Sequence, residues 1–76
     1  MDDYGRAHLL AEMDQVVLRV GQSTAHIAAQ EERITASKGR GDDTADSEKF
    51  LGILRDCLRL HEMHYANLLV RFDRLL

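Results

Sequence analysis

The strongest candidate for site chemistry in this 76-residue chain is the segment His61-Glu62-Met63-His64. Histidines three apart on a helix share a face, and neighbouring imidazoles of that kind can hold one metal ion in a helical bundle. The pattern is H-E-x-H, however, whereas zinc proteases use H-E-x-x-H, and Glu62 would point away from the histidine face. A complete site at His61 and His64 would need one or two further ligands, for example from a symmetry mate. No metal and no cofactor are therefore assigned, and a histidine hydrogen-bonded across a helix interface is the simpler reading of His61. His8 and His26 fall at outer positions and read as solvated surface residues.

Other reactive groups are sparse. Cys57 is the one cysteine, so no internal disulfide forms, and no cysteine cluster offers a structural zinc site. It could act as a redox handle facing its counterpart across a two-fold axis, but a small buried hydrophobe is the expected role. No nucleophile and base pair or acid pair fills the usual catalytic roles, so no catalytic residues are assigned and an enzyme is not expected. The Arg40-Gly41-Asp42 tripeptide resembles an integrin-attachment motif, yet a glycine-rich helix stop followed by acidic capping residues explains each position. Arg55 and Arg59 share a face, and Arg71 and Arg74 form a second cluster. Asp56, Glu62 and Asp73 interleave with them, as on a solvated charged face, so nucleic-acid binding is not the favoured expectation.

These side chains are carried by two apolar seams. Leu10, Met13, Val17, Val20, Thr24, Ile27, Glu31 and Ile34 recur at alternating steps of three and four, as do Leu51, Leu54, Leu58, His61, Tyr65, Leu68, Phe72 and Leu75. Such spacing predicts two helices, each packed lengthwise against a partner. Helix one is expected over about 3–38, started by Asp2 or Asp3, with a loop over about 39–44 and helix two over about 45–75, capped by Asp43 or Thr44. A connection this short makes the helices antiparallel neighbours. The fold class is all-α, an antiparallel, coiled-coil-like two-helix hairpin in a single domain spanning 1–76.

Apolar residues also lie off the seams. Helix two carries Ile53, Cys57, Leu60, Met63 and Val70 on a separate flank, and helix one has a stripe of small residues that includes Gly21, Ala25 and Ala28, with Leu18 among them. Flanks of this kind mark interaction surfaces, and small side chains let helices approach closely. Below roughly 70 to 80 residues, one core supplies only about 3 to 5 kcal/mol, and self-association is a usual remedy. The expectation is a homo-oligomer, a dimer first, in which two hairpins form a four-helix bundle that buries both flanks. Thr24, Glu31 and His61 interrupt the seams, where polar residues can fix register.

The net charge of −3 provides no general attraction to nucleic acid or anionic lipid, and no run approaches the ~18 to 20 apolar residues that cross a bilayer. With a starting Met1, early acid in place of a secretory leader, and a lone thiol, the chain reads as a complete, soluble, cytoplasmic product. Over about residues 16–65, the string Gly21, His26-Ile27, Gln30 and Ile34, then Gly41-Asp42-Asp43-Thr44, Leu51, Leu54 and His61 resembles short uncharacterised bacterial helical-hairpin proteins. The resemblance implies the hairpin and brings no activity, ligand or site. At the level of architecture alone, the chain also resembles small hairpin-dimer RNA-binding regulators. The expected function is a self-associating protein-interaction module, an adaptor or regulator. The alternative is a nucleic-acid-associated regulator whose binding face assembles only in the dimer, and a metal-binding helical bundle is more distant.

Overall fold

The computed structural model describes residues 3–76 and consists of two helices, α1 (Asp3–Gly39) and α2 (Ala45–Leu75), packed against each other along their length. Its extents are 61 × 14 × 13 Å, with a radius of gyration of 17.5 Å. A compact globule of this length would have a radius of about 11 Å, so the molecule is a rod two helices wide. Capping of α1 by Asp2 or Asp3 concerns side chains outside the described residues.

The turn between the helices follows from its glycines. Gly41 adopts φ 79°, a left-handed conformation that an L side chain disfavours. With Gly41 there, the Asp42 N–H reaches the Ser37 carbonyl at 3.0 Å and the Gly41 N–H reaches that of Lys38 at 3.0 Å. These two bonds make a Schellman stop, satisfying carbonyls that the helix end would leave free. The side chain of Thr44 makes no capping bond, although the residue occupies the N-cap position; Asp43 Oδ1 instead accepts the Ala45 N–H at 3.0 Å. Asp46 and Glu48 add negative charge to the first turn of α2, where the helix dipole favours it.

The core is a thin strip between the helices. At the open end of the hairpin, Leu9, Met13, Val16 and Leu68 form a buried cluster, with Val20, Tyr65 and Phe72 packed against it. Nearer the turn, Ile34 and Leu51 are buried. On α2, Leu51, Leu54, Leu58, His61, Tyr65, Leu68 and Phe72 are buried or half-buried, matching the expected seam, while Leu75 is the last residue of the helix and is 38% exposed.

The seam of α1 runs differently from the expected line. Met13, Val20, Ile27 and Ile34 face α2, but between them stand Leu9, Val16, Ser23 and Gln30, whereas Leu10, Val17, Thr24 and Glu31 are exposed. Each displaced residue sits beside its replacement, so the helix is rotated by part of a turn from the anticipated phase. Leu9-Leu10 and Val16-Val17 are apolar pairs, for which period alone favours neither member. The polar positions decide it. Gln30 is buried and donates from Nε2 to the Ser47 carbonyl at 3.1 Å, and Arg33 donates to its Oε1 at 3.3 Å. Glu31, one residue on, lies outside and accepts from Arg55 Nη2 at 2.9 Å. Thr24 has no seam role and donates its hydroxyl to the Val20 carbonyl at 2.8 Å.

Candidate interaction surface

With the observed seam taken as heptad positions a and d, Lys38, Glu31, Glu48 and Arg55 all fall at e, whereas Glu12 and His64 fall at g. The polar contacts between the helices follow that frame: Lys38–Glu48 and Glu31–Arg55 are ion pairs, each at 2.9 Å, and His64 Nε2 lies 3.4 Å from a Glu12 carboxylate oxygen. Antiparallel helices set e beside e and g beside g, so these pairs mark two opposite faces of the hairpin.

The apolar flanks divide between those faces. On α1, Leu10 and Val17 fall at e and Gly21 and Ala28 at b, toward the Glu31–Arg55 face, while Leu18 and Ala25 lie at f on the outer edge. On α2, Phe50 and Cys57 fall at g and Ile53 and Leu60 at c, toward the Glu12–His64 face, while Met63 and Val70 lie at f on the outer edge. All of these residues are exposed. The expected four-helix bundle was to bury both flanks together. Their placement on opposite faces means that one two-fold contact covers one flank only. A Cβ at Gly21 would meet open space, so nothing within the chain requires glycine there.

Exposure is the governing property of this surface. Among the described residues, six apolar side chains are buried and twelve large ones are exposed, among them Leu60 at 63% and Met63 at 62%. A compact monomer of 8.7 kDa has a surface of about 4,700 Å² by the usual scaling. This chain exposes 5633 Å². The excess, on the order of 900 Å² by that scaling, is about one partner's share of a standard interface. The expected burial of Cys57 does not occur within the chain: its thiol is exposed, and only a second molecule on the α2 flank would cover it.

The groups with possible chemistry are dispersed. His61 is half-buried in the seam, and His64 turns toward Glu12 at g. Among the described residues, no group of three or more His, Cys, Asp or Glu gathers within reach of one ion. A shallow groove of about 290 Å³ lies between Val17, Val20, Glu62 and Tyr65, open along the e face. Arg55 and Arg59 are each matched to a carboxylate, Glu31 and Asp56, and so add little net positive potential. Lys38 holds Glu48 below its ordinary pKa, first by its hydrogen bond and then by its charge. Among the described residues, no helix is long and apolar enough to cross a membrane.

Gln30 is the residue of consequence that the seam expectation passed over. It stands three after Ile27 and four before Ile34, in step with Leu9 and Val16, but Glu31 is equally in step with Leu10 and Val17, so spacing alone does not single it out. Comparison with protein-family models, with curated proteins and with solved structures finds no match to this chain.

Proposed function

We propose that the protein is a small self-associating interaction module, an adaptor or regulator, in which the α2 flank recruits a second chain and the α1 flank remains for another protein. The observation that carries this reading is the apolar flank of α2, where Phe50, Ile53, Cys57 and Leu60 stand outside the core on one side of the helix. A row of four apolar side chains at heptad spacing has the pattern of a second helix-helix seam. A lone exposed thiol on that row suits a reducing compartment such as the cytoplasm.

Solution mass by light scattering tests the proposal. The chain is expected at twice its 8.7 kDa mass or more at micromolar concentration. Replacing Leu60 with Glu would place a charge in the middle of the flank, and monomers or unfolded protein are expected. A folded Leu60→Glu protein of unchanged oligomeric mass would refute the interface assignment.

A further inference from the structure

We infer that the partner on the α2 flank is a second copy of this chain, laid antiparallel along α2 with the two-fold axis passing between Cys57 and Leu60. The inference rests on the self-association reading above and deepens it by fixing orientation and register.

Charge complementarity selects this occupant. Followed along its length, the c and g stripe of α2 begins with Asp46, continues through Phe50, Ile53, Cys57 and Leu60, then His64 and Asn67, and ends with Arg71 and Arg74. One end is acidic and the other basic, and the apolar run between them lies nearer the acidic end. The charged ends of such a stripe are complementary to their own reverse. Antiparallel helices pack in layers that set one seam position against the other type on the partner, here c against g. In the layer arrangement centred between Cys57 and Leu60, Cys57 meets the partner's Leu60, Ile53 meets the partner's His64 and Phe50 meets the partner's Asn67. Asp46 meets the partner's Arg71, and the same pair recurs at the other end by symmetry. Asp43, just before the helix, comes near the partner's Arg74. Among the described residues, neither Asp46, Arg71 nor Arg74 makes an ion pair within the chain, so these charges are available to a second molecule.

A rod two helices wide leaves more surface exposed than a compact monomer of its mass, by about half of a standard interface, so area for a second copy is present along its length. A slipped register centred between Ile53 and Cys57 would match Phe50 with Leu60 and Ile53 with Cys57, an all-apolar centre. It would, however, carry Arg71 and Arg74 past the partner's helix and leave Asp46 opposite a histidine, so exchanging the end charges separates the two registers. Parallel pairing would set Asp46 against Asp46 and Arg71 against Arg71, which like-charge repulsion opposes.

The test exchanges charges between the ends. Asp46→Lys makes both ends of the stripe basic, and Arg71→Glu makes both ends acidic. Each variant alone is expected to associate about tenfold or more weakly than wild type in sedimentation equilibrium at low salt, because two attractive pairs become two repulsive ones. An equimolar mixture restores the charge match in a heterodimer and is expected to recover wild-type affinity within about threefold. Circular dichroism of each variant and of the mixture checks that the helices persist, and recovery on mixing cannot come from a variant that merely fails to fold. If wild type dimerises while both variants associate as it does, or if mixing restores nothing, the register is overturned and self-association stands. If wild type is monomeric at 100-fold the working concentration, the self-association reading and the register fall together.

Discussion

The two ends of the hairpin are held by different physics. At the open end, Leu9, Met13, Val16 and Leu68 bury apolar surface, with Val20, Tyr65 and Phe72 around them. At the turn, the Schellman stop at Gly41, the Asp43 bond to Ala45, the Gln30 bond to Ser47 and the Lys38–Glu48 pair do most of the holding, with Ile34 and Leu51 between. Apolar burial is strong but indifferent to register, because one aliphatic neighbour serves nearly as well as another. Hydrogen bonds are weaker and directional, and they fail when the pairing slips by a residue. The turn end therefore sets which residues of α1 face α2, and the open end supplies most of the free energy that keeps them there.

The largest test of that division is Leu68→Ala. Leu68 is fully buried, and truncating such a side chain costs about 2 to 5 kcal/mol. A chain of this size has about that much stability in total, so loss of the helical signal at room temperature, or a collapse of the urea midpoint, is expected in circular dichroism. Leu51→Ala near the turn should cost less, because polar contacts still hold that end. Equal losses at the two positions would break the comparison, and a Leu68→Ala protein as stable as wild type would reverse it.

The same contrast explains what could be read from the sequence. The seam of α2 was legible because a single phase fits it: strong apolar residues recur from Leu51 to Phe72, with His61 the lone polar interruption. The hairpin followed from the glycines and acidic residues between 39 and 46. The phase of α1 was not legible in the same way. Leu9 and Leu10, and Val16 and Val17, are equivalent to any measure of period, and Gln30 and Glu31 are both polar. What separates the members of each pair is tertiary: a carbonyl of Ser47 waiting for Gln30 and a guanidinium of Arg55 waiting for Glu31. The candidate surface was legible in part. The exposed row on α2 was visible as residues left over from the seam, and Gly21 and Ala28 fall on the e and b side of α1 in either phase. Period within one helix does not say that antiparallel packing sets that side opposite the c and g stripe of α2, which is why the two flanks do not share a face.

Two substitutions at the turn sharpen the comparison with smaller effects. Gly41→Ala should cost about 1 to 2 kcal/mol, since an L side chain resists the left-handed conformation. The surroundings do not add to this, as a Cβ there meets nothing within 4 Å. Gly41→Asn should recover part of the loss, because asparagine tolerates that region; equal destabilisation by Ala and Asn in urea titrations would rule out the backbone as the cause. Gln30→Ala should cost about 1 kcal/mol by removing the bond to the Ser47 carbonyl. Its signature is local, with faster amide exchange around residues 27–37 and 45–51 while the cluster around Leu68 keeps its protection. Uniform loss of protection along both helices would show that Gln30 supports the whole rod equally.

The smallest effect belongs to Glu48 and is read by pH. The Lys38 hydrogen bond, and then its charge, hold the Glu48 carboxylate below its ordinary pKa, on a side chain 49% exposed. A group whose pKa is depressed by folding contributes stability above its unfolded pKa and loses that contribution as pH falls through the folded value. The turn end should therefore loosen slightly on acidification below the ordinary carboxylate range, and 1 M salt should reduce the difference by screening an exposed pair. Carbon-13 NMR titration of the Glu48 carboxyl is expected to show a lowered midpoint that moves back up in Lys38→Ala. An unmoved midpoint would mean that Lys38 is not the cause. A substitution at the open end that leaves the chain folded, such as Val16→Ala, should not shift that midpoint, because the apolar cluster places no charge near Glu48. If it did shift, the two ends would be coupled through the seam, and the turn could no longer be treated as setting the register independently of the core.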